Sequence, residues 1–408
     1  MTAGTDSETS MEKSIENVLY YVDDAVRYDA LSDTLPSLGR TYRTVAASTH
    51  TPTSFGSLLT GLLPTHNGIH SFKNTVPADV DDIFGVDTHE VSLAALGGMN
   101  HSLADMFGEP PRKTVEELEP PFIHVLRRPG GHAPYDGFEW DEYEYAGETG
   151  VEYLEDAAAN PAETTREYYD GVDRSFQEFR RVLSVLEERG LLEETLVVYT
   201  SDHGEMLGEY GFFGHTHMAT PEVVYVPTTF IHPSIESGRE DQLLHHVDIL
   251  PTIDAMLPTD IDIGGTDGKA WGGNRSTGYT HLEHVRYGSL PGPAERLLQS
   301  VGGFERTIRS LWDRDGGHVF VEGSTIPIGV VYLGLVLQKP FGDHVYEMDR
   351  LRDSFDRFTP GHQSYGSPAF TASEAKAEIE RIGRQDRAGR TRDIDDETVE
   401  QLEGMGYI

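Results

Sequence analysis

Acidic and histidine side chains directly follow three apolar runs of the sequence, and these residue types bind divalent cations. NVLYYV is followed by Asp23 and Asp24, TLVVYT leads to Asp202 and His203, and PFIHVL leads through RRPGG to His132. An aspartate pair after one strand is typical of a helix N-cap, but pairs after two strands favour a metal site built from carboxylate and imidazole groups. The predicted ligands of one divalent ion (Ca²⁺, Mg²⁺, Mn²⁺ or Zn²⁺) are Asp23, Asp24, Asp202 and His203.

A hydroxyl residue precedes a helix-like run in HTPTSFGSLLTG. Thr51 stands directly before Pro52, and the run ends at Gly61. This pattern predicts a helix with Thr51 as its N-cap and Pro52 at its first position. The N-terminus of a helix favours negative charge and binds phosphate or sulfate oxygens. Thr-Pro by itself is an ordinary cap, but beside a metal ion, which lowers the pKa of a hydroxyl, Thr51 is a candidate nucleophile.

The three apolar runs can bring these side chains together only if they form neighbouring strands. Continuous apolar runs are typical of strands buried on both faces of a parallel sheet. Between them, Val172, Phe176 and Phe179 recur at helical spacing before Gly190. This alternation predicts an α/β fold with a mostly parallel central sheet flanked by helices on both faces. In such folds ligands bind at the carboxyl ends of the strands.

Further elements are predicted along the chain. EVVYVPTTFIHP is a strand candidate, and HHVDILPTIDAML begins a helix. IPIGVVYLGLVL is either a buried strand or a core helix and is too short to span a membrane. Helices are expected near 372–383 and 395–404, and the acidic, aromatic-rich span 136–165 is expected to form a surface excursion.

Composition excludes several classes of chemistry. The 408 residues include no cysteine, which rules out disulfides, zinc-thiolate sites and cysteine nucleophiles. With 32 Lys and Arg against 69 Asp and Glu, the net charge is −37, which argues against nucleic acid or an anionic membrane as a partner. Adaptation to concentrated salt is the favoured explanation of this acidity, and an acidic protein of ordinary salt is the alternative.

The predicted organisation is a disordered tail at 1–13, a catalytic domain at 14–290, a subdomain or extension of that domain at 291–348, and a charged, partly helical tail at 349–408. The N-terminus has no signal-peptide pattern. These features predict a cytoplasmic protein without membrane insertion.

Six segments resemble, in order, the sulfatase branch of the alkaline phosphatase superfamily. They are NVLYYVDDAVRYDAL, TPTSFGSLLTGLLPTHNGI, GGHAPYD, TLVVYTSDHGEMLGEYGFFGH, VPTTFIHP and HVDILPTI. The resemblance extends from about residue 17 to residue 255 and implies an alkaline phosphatase-like fold with a small C-terminal extension. It also implies a metal-dependent hydrolase of ester bonds.

The resemblance assigns roles to individual residues. The metal ligands fall on the two aspartate and aspartate-histidine pairs, and the nucleophile falls on Thr51. His132 and His215 are expected to contact the anionic group of the substrate and to assist catalysis, and His217 is an alternative to His215. The candidates for charge neutralisation are Lys73, also predicted to bind substrate, Arg27 and Arg40.

The sequence departs from the sulfatase pattern at the nucleophile. Sulfatases carry Cys or Ser, converted to formylglycine, within Cys-x-Pro-Ser-Arg, whereas this chain reads TPTSF. No formylglycine is therefore expected. Counting from the proline instead places His50 or Thr49 at the nucleophile position, and this alternative stays open. An ester of unmodified threonine must be cleaved by attack at its central atom, which phosphorus tolerates more readily than sulfur. The favoured substrates are therefore phosphate monoesters, diesters or phosphonates, either small molecules or glycan- or lipid-linked esters.

Other interpretations remain. The enzyme is alternatively a sulfatase with an unconventional nucleophile or a phosphoryl head-group transferase, and the third possibility is an inactive metal-binding scaffold. Superfamily members with threonine usually bind two zinc ions, but Arg128 occupies the position four residues before His132 where a second ligand is needed. His245, His246 and Asp248 belong to a segment that resembles a structural one. One metal ion is therefore favoured.

Overall fold

The computed structural model describes residues 14–95, 99–135, 160–283, 305–337, 348–387 and 389–392, with short stretches between 137 and 154 and single residues at 394, 399 and 402. The predicted tail 1–13, most of the predicted excursion 136–165 and most of the predicted helix 395–404 lie outside the described residues.

A large, mostly parallel sheet forms the centre of the molecule, as the apolar runs predict. Its strands are β1 Asn17–Asp23, β2 Arg40–Val45, β3 Glu90–Ala95, β4 Phe122–Arg128, β5 Thr195–Ser201, β6 Tyr225–Ile231, β7 Gly238–Arg239 and β8 Leu244–His245. Their order in the sheet is β7-β2-β6-β5-β1-β4-β3, and β8 also pairs with β2. The strands β3, β4, β1 and β5 are parallel neighbours, whereas β6 runs antiparallel to β5 and β2.

Helices cover both faces of this sheet because its central strands are apolar on both sides. In the described part of the chain, the helices of eight or more residues are α1 Thr51–Thr60, α2 Met99–Met106, α3 Pro161–Glu188, α4 Ile249–Met256, α5 Thr325–Leu337, α6 Met348–Phe358 and α7 Ala372–Ile382, and single helical turns lie at Tyr28–Leu31, Pro64–Asn67 and Pro221–Val224. Along β1, Val18 and Tyr20 pack into one buried cluster together with residues of α1 and α4. Leu19 and Tyr21 pack into a second cluster against α3.

The helix α1 begins one residue earlier than its sequence pattern predicts. His50 is the N-cap, Thr51 is the first helical residue, and Gly61 ends the helix with φ 68°. Thr51 therefore lies within the first turn rather than at the cap. The order of elements is unchanged, so Thr51 still stands at the N-terminal end of the helix.

A second, antiparallel sheet packs against the edge of the large one. Its strands, in order, are β9 Gly278–Glu283, β10 Arg306–Trp312, β11 Gly316–Gly323 and β12 Gly361–Gly366. Thr280 donates a hydrogen bond to the carbonyl of Ala46, which follows β2. Both predicted boundaries, at 290 and at 348, fall between strands of this single sheet. Two-residue strands also pair Asn74–Thr75 with Arg390–Thr391, Met206–Leu207 with Phe213–Gly214, and Phe138–Glu139 with Glu144–Tyr145.

The apolar run at 326–337 forms the helix α5, which excludes the strand alternative. Ile328 and Val331 are buried, whereas Ile326 is 68% exposed and Leu333 57%. Among the described residues, no helix is long and apolar enough to cross a membrane.

Candidate active site

The ends of three parallel strands meet at one edge of the large sheet. The last residue of β1, Asp23, lies opposite Arg128 of β4 on one side and Ser201 of β5 on the other. The residues that follow these strands are therefore brought together, as the sequence predicts. Asp24, Asp202 and His203 are fully buried, and one ligand atom from each lies within 4.8 Å of the others.

Asp202 directs one oxygen at the protein and the other into this cluster. Its Oδ1 accepts hydrogen bonds from the backbone N–H groups of Ala25 (3.1 Å) and His203 (2.9 Å). Its Oδ2 is buried without a hydrogen-bond partner among the described residues and lies 3.5 Å from His203 Nε2. Burial, followed by the nearby charge of Asp24, raises the pKa of Asp202 to about 6. A positive charge at this position would therefore favour the carboxylate form.

Asp24 is held in place by the neighbouring strand and loop. Burial by itself raises the pKa of Asp24, but the ion pair with the buried Arg127 and the proximity of His132 and His203 hold it below its usual value. The loop after β4 contacts the Asp24 backbone: a Cβ at Gly130, whose φ is 54°, would stand 2.0 Å from the Asp24 carbonyl oxygen. Only glycine permits this approach, which directs the following loop and His132 toward the cluster.

Thr51 lies beside the same cluster. Its Oγ1 is 3.1 Å from His203 Nε2, and its side chain is fully buried. The hydroxyl therefore stands at the N-terminal end of α1 and next to a cluster residue at once. The helix end favours negative charge, so this position suits the oxygens of a tetrahedral anion.

His215 and His132 complete the surroundings of the cluster. The His215 ring stacks on His203 at 4.1 Å and lies 5.4 Å from the His132 ring. His215 Nδ1 is 2.8 Å from Glu205 Oε2, while Tyr135 donates to the other oxygen of Glu205. Burial lowers the pKa of both histidines and raises the pKa of Glu205 well above its usual value. Burial therefore disfavours the charged forms of both His215 and Glu205.

Asp23, the fourth predicted ligand, is not part of the cluster. Consecutive residues of a strand point to opposite faces, and Asp23 points toward α3. Its Oδ1 accepts a hydrogen bond from Ser175 (2.7 Å) and its Oδ2 accepts one from Tyr199 (2.8 Å). Both oxygens are satisfied by hydroxyl donors, so the structure gives Asp23 a structural environment rather than that of a ligand.

The predicted cationic residues are also placed elsewhere. Lys73 is exposed, and its carbonyl accepts a hydrogen bond from the Arg392 N–H. Among the described residues, no hydrogen bond or ion pair joins its side chain to the cluster. Arg27 forms ion pairs with Asp29 and Glu209. Arg40 begins β2, at the end of the strand away from α1. Substrate binding by Lys73 therefore finds no support in the geometry.

The histidines considered for a second metal ion are engaged by the backbone. His245 Nε2 is 2.6 Å from the Tyr279 carbonyl, and His246 lies between the Ala47 N–H and the Ser201 carbonyl. Asp248 forms a two-pronged ion pair with Arg275. These contacts agree with a structural role for the segment.

Sequence reasoning missed two charged residues of the site. Arg127 neutralises Asp24, and Glu205 orients His215. Both stand in quoted segments, RRPGG and SDHGE, but a buried arginine and a buried glutamate carry no signal in a single sequence that distinguishes them from surface residues. Only the pairing of β1 with β4 and the return of the chain at His215 give them partners.

Comparison with known proteins agrees with this fold. The family model described as Sulfatase matches residues 101–257. The low-salt glycan biosynthesis sulfotransferase Agl7 of Haloferax volcanii is 30% identical over 435 residues, with 100% of both chains covered. The uncharacterized sulfatase YdeN of Escherichia coli is 24% identical over 180 residues, which cover 41% of this chain and 30% of YdeN.

Solved structures share the architecture. A phosphonate monoester hydrolase of Agrobacterium radiobacter superposes with a TM-score of 0.54 at 15% identity, covering 84% of this chain and 94% of its own. A 2-O GAG sulfatase superposes with a TM-score of 0.54 at 12% identity, covering 83% and 89%. The alkaline phosphatase-like fold and the family match define an ester-hydrolase-like enzyme. The chain belongs to the sulfatase family.

Proposed function

We propose that the protein is a metal-dependent enzyme that attacks the central atom of a tetrahedral anionic ester, with Thr51 as the nucleophile. Its favoured reaction is the hydrolysis of phosphate monoesters, phosphate diesters or phosphonates. A single contact supports this role best: Thr51 Oγ1 lies 3.1 Å from His203 Nε2, beside the acidic cluster and at the N-terminal end of α1.

The donor set fits one divalent cation. Two carboxylates and one imidazole converge, and the buried Asp202 Oδ2 has no other hydrogen-bond partner among the described residues. Leaving such an oxygen uncompensated costs free energy. Asp24, Asp202 and His203 would hold the ion. When bound, a divalent cation there stabilises the negative charge of the ester oxygens and lowers the pKa of a nearby hydroxyl.

Residues of this chain carry out the nucleophilic attack, the binding of the ester oxygens and the proton transfer. Thr51 loses its hydroxyl proton to water, and its Oγ1 attacks the phosphorus atom in line with the leaving oxygen, so that a threonyl ester forms as the bond to the leaving oxygen breaks. The first turn of α1 binds the nonbridging oxygens. The arriving anion favours the protonated form of His215, which Glu205 orients. His215 or His132 donates a proton to the leaving oxygen, and water then cleaves the threonyl ester.

Sulfuryl transfer to a glycan hydroxyl is the second candidate. It is supported by the relative that matches this chain over its full length and is named a glycan biosynthesis sulfotransferase. The same Thr51 attack would occur at sulfur, and a sugar hydroxyl instead of water would remove the sulfuryl group from Thr51. The absence of cysteine removes the usual precursor of formylglycine, so release by elimination from its hydrate is not the expected route.

The decisive experiment is a substrate panel on the purified protein in molar salt. Nitrophenyl phosphate, bis-nitrophenyl phosphate, a nitrophenyl phosphonate monoester and nitrophenyl sulfate are each tested with Mg²⁺, Mn²⁺, Ca²⁺ or Zn²⁺, with and without a sugar acceptor. Thr51→Ala is the test variant. Thr60→Ala, the same change at the other end of α1, is the matched control, because the Thr60 hydroxyl donates to the Gly56 carbonyl and accepts from the Leu62 N–H at the end of the helix away from the site.

We expect the wild type to turn over a phosphorus ester. This turnover should fall at least about 10⁴-fold in Thr51→Ala, as for other lost nucleophiles, and should be unchanged in Thr60→Ala. Sulfate turnover that requires both Thr51 and a sugar acceptor would replace it with the transferase. Turnover of any ester that survives in Thr51→Ala would contradict the nucleophile assignment and favour His50 or Thr49.

A further inference from the structure

A second group of metal-type side chains lies outside the strand-end cluster. His70 follows the helical turn Pro64–Asn67, and His281 and Glu283 stand on β9. One ligand atom from each lies within 4.8 Å of the others. His281 Nε2 is 3.3 Å from Glu283 Oε1, and His70 Nδ1 is 3.7 Å from Glu283 Oε2. Two imidazoles and a carboxylate thus converge from two separate segments of the chain.

The two imidazole nitrogens that face Glu283 are not satisfied by it. His70 Nδ1 and His281 Nε2 are both buried, and neither makes a hydrogen bond to any described residue. A histidine paired with a carboxylate for structural reasons would direct an N–H at the oxygen. Nitrogens that approach the carboxylate without hydrogen-bond geometry instead fit lone pairs that converge on a shared point.

The other nitrogen of His281 has a hydroxyl partner, which is compatible with either tautomer. His281 Nδ1 is 2.9 Å from Tyr279 Oη, and when Nδ1–H donates to this hydroxyl, Nε2 presents its lone pair toward Glu283. Metal-binding histidines commonly donate their second N–H in this way, which fixes the orientation of the ring. The backbone N–H of His281 also donates to the Ala47 carbonyl, which anchors β9 to the loop that leads into Thr51.

The spacing suits a small tetrahedral site. With metal–ligand bonds of about 2.0–2.2 Å, neighbouring ligand atoms lie roughly 3.3–3.5 Å apart. His281 Nε2 lies 3.3 Å from Oε1 of Glu283, His70 Nδ1 lies 3.7 Å from Oε2, and one ligand atom from each residue lies within 4.8 Å of the others. Side-chain rotation that brings one Glu283 oxygen between the two nitrogens would complete this geometry. The side chain of Glu283 is 33% exposed, which provides access for an ion.

We propose that His70, His281 and Glu283 form a second, independent cation site for a borderline divalent ion such as Zn²⁺, with a fourth position open to water or to an oxygen of an anionic ligand. Two imidazoles and one carboxylate are a donor set typical of zinc. The site is distinct from the oxygen-rich strand-end cluster, so the two sites differ in their preference for Zn²⁺ over Mg²⁺.

Co²⁺ alone, used as a spectroscopic probe for Zn²⁺, tests this site without any substrate. Metal-free protein carrying Asp202→Asn, which weakens the strand-end cluster, is titrated with Co²⁺ in molar salt and excess Mg²⁺. The Mg²⁺ occupies the acidic surface but competes poorly for imidazoles. The expected result is one Co²⁺ per chain with the visible absorption of a tetrahedral site.

Variants then distinguish Co²⁺ binding at the proposed site from nonspecific Co²⁺ binding elsewhere on the protein. Glu283→Gln, which keeps the shape of a partly exposed side chain, is expected to weaken Co²⁺ binding at least about 100-fold, since even the loss of an outer partner typically costs about 10–100-fold. Tyr279→Phe is expected to weaken it about tenfold, again through the loss of an outer partner. His362→Asn is the matched control: His362 pairs with His318 on the same small sheet, at 3.0 Å, and this change should leave the affinity unaltered.

The proposal is overturned if the Asp202→Asn protein binds no stoichiometric Co²⁺, or if Glu283→Gln and His281→Ala both bind it as tightly as their parent. Circular dichroism of each variant verifies the fold. Because the readout is metal binding, failure here leaves the role of Thr51 untouched, and a failure of the substrate panel leaves this site untouched.

Discussion

Asp23 and Asp24 are neighbours in the chain and are both fully buried, yet they lie in different regions of the molecule. Asp24 enters a charged region with Arg127, Asp202 and His203. Asp23 enters the apolar layer between the sheet and α3, where two hydroxyl groups bind its oxygens. Two identical side chains thus have different surroundings: hydroxyl donors bind both oxygens of Asp23, whereas Asp24 pairs with Arg127 and also faces a second carboxylate and an imidazole.

The two regions differ in whether each buried carboxylate oxygen has a hydrogen-bond donor. On the side of α3, every oxygen of Asp23 has a donor, so nothing draws a ligand there. On the side of α1, Asp202 keeps an oxygen with no donor among the described residues, and Thr51 and His215 surround it. Buried polar groups that lack partners, rather than acidic residues as such, mark the candidate site.

Asp202→Asn tests this comparison with the largest expected effect. Loss of a predicted ligand should reduce turnover of whichever ester the panel identifies by about 10³-fold, because metal stabilisation of the ester is worth several kcal/mol. Calorimetry with Mn²⁺ should show the binding lost together with the activity.

Asp23→Asn is the matched control one strand away. It should bind Mn²⁺ as the wild type does and retain activity within about tenfold, because its amide can still pair with Ser175 and Tyr199. Equal loss of metal in both variants would show that Asp23 is a ligand after all and that its side chain reorients when the ion binds.

The pH dependence of the free energy of unfolding tests the burial of His124, which lies on β4. Burial, followed by the charge of Arg128, lowers the pKa of His124 to about 3, whereas an unfolded histidine titrates near 6.5. Below about pH 6.5 the unfolded chain takes up a proton that the folded chain refuses, so stability falls as pH falls, by about 1 kcal/mol per pH unit from this group. Denaturant unfolding of His124→Gln between pH 7 and 4.5 should show a shallower decline than the wild type. Parallel curves would mean that His124 is protonated in the fold.

Tyr199→Phe gives the smallest effect. It removes one of the two donors to Asp23 and should lower the free energy of unfolding by about 1–2 kcal/mol without changing metal affinity. Tyr20→Phe, on the opposite face of β1, is its control. Its hydroxyl makes a long 3.5 Å contact with the Leu58 carbonyl, so a smaller loss is expected. An equal loss in the two variants would remove the distinction between the faces.

Sequence alone predicts the parallel centre of the fold well. Apolar runs that end in Asp or His predict strands and the edge where they meet, because burial on both faces demands such runs and ligands gather at carboxyl ends. The antiparallel direction of β6 has no comparable signal, since a buried strand is equally apolar in either direction. The orientation of Asp23 depends on where β1 ends, and one residue reverses the face.

The cluster of His70, His281 and Glu283 shows more clearly what the sequence alone does not predict. His70 precedes His281 by about two hundred residues in the sequence, and each by itself is an ordinary histidine. Only the packing of β9 beside the loop from β2 brings them together, which is a tertiary contact that no local spacing encodes. Glu205 and Arg127 escaped prediction for the same reason, since their partners come from other elements.

The strand β9 ends at Glu283, before position 290, but its hydrogen-bonding partner β10 begins only at Arg306. A shortened version of the protein that stopped at residue 290 would retain Tyr279 and Leu282 and lose the strand that covers them. Its open edge would offer unpaired backbone groups to other copies and favour aggregation. Anyone preparing a minimal catalytic fragment should therefore carry the chain at least through Thr391, because α7 packs on Tyr279 and Leu311 of the small sheet and Arg390–Thr391 pair with Asn74–Thr75.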